Sequence, residues 1–169
     1  MPRIAETRHL KWSPEQMFDL VADVKRYAEF LPWVVATRIR SDNGHEMIAD
    51  MMVGFNALRE KFTSRVTKDR PNEADVGAIM VDYLDGPMKS LSNSWHFAPD
   101  EGGGCRIDFV CEFTFRNALF EKLAGQYLDR AFRKMVTAFE TRAARLYGAD
   151  AAIGAVSGGK SSSSATSAA

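Results

Sequence analysis

The chain has three histidines, His9, His45 and His96, and they are scattered. None has a second histidine or a carboxylate at the short spacing that brings ligands onto one metal ion, and no Gly-x-Ser-x-Gly elbow presents a nucleophile, so neither a metal centre nor a hydrolase triad is expected. The run Gly102-Gly103-Gly104 lies between two strand-like stretches rather than before a helix and lacks the lysine of a phosphate loop. It reads as a hairpin turn. Glu46, Asp50, Glu60 and Asp82 fall in strand-like stretches, where an inward carboxylate could do acid–base work on a bound substrate. Asp82 stands out because IMVDYL surrounds it with apolar neighbours that would raise its pKa. With Asn93 and His96 it completes the polar candidates for catalysis.

Cys105 and Cys111 are six positions apart in GCRIDFVCEF. In an extended strand that separation is about 20 Å, too far for a disulfide. Two isolated thiols suit packing in a reducing compartment.

The 169 residues fit one domain with one core, and 22 Lys and Arg against 22 Asp and Glu leave no overall field that would select a nucleic-acid partner. No apolar run reaches the length of a membrane span, and MPRIAETRHLKW lacks the apolar centre of a signal peptide. The expectation is a soluble cytoplasmic protein, or one peripheral to a membrane.

The elements that would position these side chains follow from periodicity. TRHLKW reads as a first strand, and SPEQMFDLVADV as a helix, with Ser13 as N-cap, Pro14 in the first turn, Gln16 closing a capping box, and Met17, Leu20, Val21 and Val24 on one face. A second short helix spans roughly residues 25–31 and stops before Pro32. From residue 36 to 115 alternation takes over, with turn residues marking about six strands. In RIDFVCEFTF, Ile107, Phe109, Cys111, Phe113 and Phe115 share one face; in SLSNSWHF, Leu91, Asn93, Trp95 and Phe97 do. Residues 118–147 carry apolar groups at three-and-four spacing, a single amphipathic helix about 45 Å long, ended by Gly148. Residues 1–148 form the domain, and 149–169 read as a disordered Ala/Ser/Gly tail.

The result is an α+β arrangement: a curved antiparallel sheet of about seven strands around a long C-terminal helix, with two short helices after the first strand. Such a sheet encloses a cavity lined by its concave side chains. This order resembles the helix-grip fold of START and Bet v 1-type domains, and particular words resemble the coenzyme Q-binding family within it, related to polyketide cyclases. They are YAEFLPW (Tyr27, Phe30, Leu31, Pro32, Trp33), VGF (Val53 to Phe55), LDGP (Asp85 to Pro87), SWHFAP (Trp95, Phe97, Pro99), CRIDF (Cys105, Phe109) and AFETRAARLYG (Ala138, Phe139, Arg142, Ala143, Tyr147). The likeness covers about residues 3 to 148. Val34, where many relatives have Cys, and Pro87-Met88-Lys89, where some have Leu-Phe, depart from it.

The resemblance implies a non-catalytic protein that binds ubiquinone or a similar polyprenyl lipid and supports respiratory electron transfer as a carrier or chaperone, with no catalytic cofactor. Parity assigns the ligand-binding face to Leu31, Trp33, Met51, Val53, Phe55, Phe62, Met80, Leu91, Asn93, Trp95, Phe97, Phe109 and Phe113, with Leu128, Phe132, Met135 and Phe139 from the helix. Met47 adds to an adaptable, methionine-rich lining. Trp95, Trp33 or Asn93 would donate to the quinone carbonyls. Pro32 would deliver Trp33 to the cavity rim, the alternative being that Leu31 and Trp33 plug the barrel end as core. The same family includes proteins resembling a toxin that blocks ribosomal subunit association, so binding to the large ribosomal subunit is the alternative function. The excess of cations on the terminal helix suits a solvated face, anionic lipid headgroups or ribosomal RNA.

Overall fold

In the computed structural model residues 3–55, 58–72 and 75–148 are described, without the side chains of 55, 58, 120 and 123–129. The expected tail and the Phe55 and Leu128 side chains lie outside the described residues.

Strand β1 (Arg3–Leu10) leads into α1 (Pro14–Ala22), whose start is built as its sequence requires. Ser13 Oγ accepts from the Gln16 N–H and Gln16 Oε1 accepts from the Ser13 N–H, both at 3.0 Å. A 3-10 helix (Val24–Glu29) follows, and Pro32 keeps it from running on. The six remaining strands are β2 (Val34–Asp42), β3 (Glu46–Phe55), β4 (Leu58–Asp69), β5 (Gly77–Asp85), β6 (Met88–Pro99) and β7 (Cys105–Phe115), and α2 (Ala118–Tyr147) ends the fold.

All seven strands form one antiparallel sheet in the order β1-β7-β6-β5-β4-β3-β2. Its register aligns the apolar positions: Ile79 opposite Trp95, Trp95 opposite Phe109, Phe97 opposite Ile107, and Met51 opposite Phe62. Side chains alternate across a strand, so these pairings put one aromatic-rich face toward α1 and α2. Met17, Val21, Ile79, Phe97 and Ala143 are nearly or fully buried where helices and sheet meet. Burying a side chain of Val or Phe size this way contributes about 1.5–3 kcal/mol each.

The β6–β7 turn closes against the end of β1. A Cβ on Gly104, whose φ is +89°, would stand 2.2 Å from the Leu10 carbonyl oxygen, so both conformation and space demand glycine there. Just beyond Leu10, Trp12 donates its indole N–H to the Gly148 carbonyl at 3.1 Å, and Tyr147 donates to the Gln16 carbonyl at 2.9 Å, which ties the end of α2 to α1.

Two assignments made from sequence are corrected. Met80 is exposed and lies on the outward face, because the buried positions of β5 are Gly77 and Ile79 and parity turns 80 away. Asp82 shares that outward parity and is exposed, so its apolar sequence neighbours do not enclose it. Among the described residues no helix is long and apolar enough to cross a membrane.

Candidate functional site

The inner face of β6 and β7 meets α2 in a continuous set of aromatic contacts. Trp95 packs edge to face on Phe109 with centroids 4.6 Å apart and on Phe139 at 5.5 Å, and Phe109 meets Phe132 at 5.3 Å. Phe139 is reached from the other side by Phe30 at 5.3 Å and Tyr27 at 5.7 Å. Such geometry adds roughly 0.5–1.5 kcal/mol per pair beyond burial. Between these rings and α1 an apolar cavity of about 30 Å³ remains, bounded by Trp95, Ile107, Phe109, Phe132, Met135 and Phe139. At its end Arg8 and Glu140, both also lining it, pair at 2.8 Å.

Among the described residues the polar groups of Asn93, Trp95 and Tyr27 are engaged. Asn93 donates to the Val110 carbonyl at 2.9 Å and accepts the Trp95 indole N–H at 2.8 Å. Trp95 therefore spends its single donor on Asn93 rather than holding it for a ligand carbonyl. Tyr27 donates its hydroxyl to the Val21 carbonyl, and burial pushes its phenol well above the ordinary range. Ser64 is buried on the inner parity of β4, and its hydroxyl has no hydrogen-bond partner. Of the three polar groups considered for cyclase chemistry, Asp82 and His96 are exposed on the outward face, and Asn93 is an amide that does not titrate.

The buried carboxylate is Asp50. It sits on the outward parity of β3, accepts from Thr63 Oγ1 at 2.6 Å and from Arg40 Nε at 2.8 Å, and is 5% exposed. The Thr63 hydrogen bond, followed by Arg40, holds its carboxyl below the usual range, so it stays ionised near neutrality. Cys105 and Cys111 are free, and burial pushes their thiols up to about 12 and about 11.

Most residues assigned from sequence converge. Phe97, Phe109, Phe113 and Phe139 are buried, and Met51, Trp95 and Met135 are partly buried against the same core, as is Met47 fully. Phe132 borders the cavity, while Val53, Phe62 and Leu91 are half-buried on the same sheet parity farther along their strands. Leu31 is a core residue at 8% exposure. Trp33 is half-buried beside the exposed Pro32, and its carbonyl accepts the Gly54 N–H at 2.9 Å. Sequence reasoning passed over Phe30, Tyr27, Met17 and Val21 as lining or wall residues. The signal was present: Tyr27 and Phe30 are three apart, so at the end of a short helix their rings meet edge to face with centroids 6.0 Å apart.

A second concavity lies on the other side of the Phe30–Phe139 pair. It is an open groove of about 450 Å³ between Phe30 and Pro32 on one wall and Arg130, Arg133, Lys134, Thr137 and Ala138 of α2 on the other.

The profile of the family described as polyketide cyclase/dehydrase and lipid transport matches residues 10–140. The chain is 37% identical over 139 residues to a protein of Rickettsia prowazekii named ribosome association toxin RatA, covering 81% of this chain and 92% of that one. It is 32% identical over 148 residues to the mitochondrial coenzyme Q-binding protein COQ10 homolog B of Xenopus laevis, covering 85% of this chain and 59% of the relative. Among solved structures it is similar to the 18 kDa protein CC1736 of Caulobacter crescentus, with 40% identity, a TM-score of 0.69, and coverage of 88% of this chain and 100% of that one.

Proposed function

The chain belongs to the polyketide cyclase/dehydrase and lipid transport family, and from that premise we propose that it is a non-catalytic carrier of ubiquinone or a similar polyprenyl lipid. The observation that carries this reading is the apolar inner face: Trp95, Phe109, Phe132, Met135 and Phe139 surround the cavity, and Asn93 and Trp95 satisfy one another. A face of rings and a flexible thioether gains about 0.8 kcal/mol for each methylene-sized group it buries, and the titratable side chains among its described lining, Arg8 and Glu140, are paired with each other. The printed name of the Xenopus relative, coenzyme Q-binding protein, agrees with this cargo.

The size of the cavity sets a condition. Drug-sized ligands occupy roughly 300–1,000 Å³, whereas the enclosed space is about 30 Å³. Loading therefore requires the α2 side chains Phe132, Met135 and Phe139 to withdraw from Trp95 and Phe109.

Mass spectrometry of an organic extract of the purified full-length protein, with an ultraviolet scan for the quinone chromophore, tests the proposal. Stoichiometric ubiquinone supports it; a protein that is empty and takes up no added quinone overturns it.

A second reading is ribosome association. Arg130, Arg133 and Lys134, which converge on one groove, favour it, as does the printed name of the Rickettsia relative. Sedimentation with large ribosomal subunits at low salt by a quinone-free protein is its signature.

A further inference from the structure

Arg130, Arg133, Lys134, Thr137 and Ala138 stand three and four positions apart on α2 and share one face, which the fold turns toward Phe30 and Pro32. The three cations are exposed and form no ion pair with any described residue. Arg142, farther along the same helix, is instead paired with Glu29 at 2.7 Å and lies over the Phe30 ring at 5.0 Å. Three like charges within about two helical turns repel one another, so an anion that neutralises them is favoured.

The opposite wall adds a second requirement, because Phe30 and Pro32 offer carbon rather than hydrogen-bonding groups. Trp33, next to Pro32, is half-buried. A single-stranded RNA would ask for open aromatic faces on which bases stack. Here the exposed Pro32 is aliphatic, and the Phe30 ring is covered by Phe139 and Arg142. An anion carried on hydrocarbon meets both requirements.

We propose that this groove seats the headgroup phosphate of an anionic phospholipid, docking the protein on a bilayer with Pro32 toward the lipid. Phe30, which floors the groove and abuts Phe139, then separates the membrane from the inner cavity. The proposal deepens the carrier reading and rests on it for the purpose of docking, while the docking surface itself is read from the groove.

The test is sedimentation of the full-length protein with vesicles of phosphatidylcholine containing phosphatidylglycerol, against vesicles of phosphatidylcholine alone. The wild type is compared with the triple variant Arg130→Gln/Arg133→Gln/Lys134→Gln, and with a control that removes three cations from strands outside the groove, Arg65→Gln/Lys89→Gln/Arg106→Gln. Preference for the anionic vesicles, falling roughly a hundredfold in the groove variant and much less in the control, supports docking. Equal partitioning of wild type and groove variant overturns it. Saturable binding of glycerol phosphate, lost in the groove variant, without any vesicle preference, also overturns it in favour of a soluble phosphate ligand. Loss of ribosome sedimentation in the groove variant with vesicle binding unchanged overturns it in favour of RNA. Bound quinone, measured separately in an organic extract, reports on the carrier reading, so failure of one leaves the other readable.

Discussion

Trp95 donates its indole N–H to Asn93 Oδ1 at 2.8 Å, and the Asn93 amide donates to the Val110 carbonyl at 2.9 Å. The amide thus fixes the ring that forms one wall of the cavity, and it does so without leaving a bare donor facing apolar cargo. Asn93→Leu strips the indole N–H of its acceptor in a half-buried site. The expected cost is about 1–3 kcal/mol, read from urea unfolding. A variant as stable as the wild type would show that water or another group takes over the indole.

Phe139 touches Trp95, Phe30 and Tyr27 through its ring and is 5% exposed. Phe139→Ala is expected to lose about 3–5 kcal/mol and to join the inner cavity to the groove. Uptake of a fluorescent apolar probe should rise in the folded variant. Unchanged uptake with the expected loss of stability would mean that the rings collapse into the vacated space.

Burial raises the Cys105 and Cys111 thiols to about 12 and about 11, so thiolate is scarce in the folded protein at neutral pH. Both should resist an alkylating reagent until the protein unfolds, with Cys105, fully buried, the slower. Rapid labelling of either thiol in native buffer would contradict the packing.

Much of this arrangement could be read from local signals. The start of α1 is encoded within four residues, since Ser13 and Gln16 cap each other around Pro14, and β7 alternates from Ile107 to Phe115 with Val110 the one apolar residue on its outward side. Met80 failed because Ile79, Met80 and Val81 are all apolar, and a run without alternation carries no parity; only pairing of Ile79 with Trp95 decides it. The filling of the interior was also illegible. It depends on how closely α2 approaches Trp95 and Phe109, a distance set by packing between residues far apart in the chain. The basic groove was half visible, as an excess of cations on the terminal helix, but the apolar wall at Phe30 and Pro32 comes from another element.

Asp50 shows the same limit and supplies a pH test. Its burial depends on Arg40 from β2, brought over it beside a register shift between Ile39 and Ser41, and on Thr63 from β4. Its folded pKa lies below the ordinary 3.8, led by the Thr63 hydrogen bond. A lowered carboxyl stabilises the fold above the unfolded pKa, and that contribution disappears as pH falls through the folded value. Thr63→Val should therefore cost about 1.5–3 kcal/mol at neutral pH, as expected for a hydrogen bond to a charged group. The difference from wild type should narrow as acid protonates Asp50 in both proteins. Urea unfolding at neutral pH and at stepwise lower pH measures it; a difference that stays constant into strong acid would mean that Thr63 acts through packing rather than through the Asp50 charge.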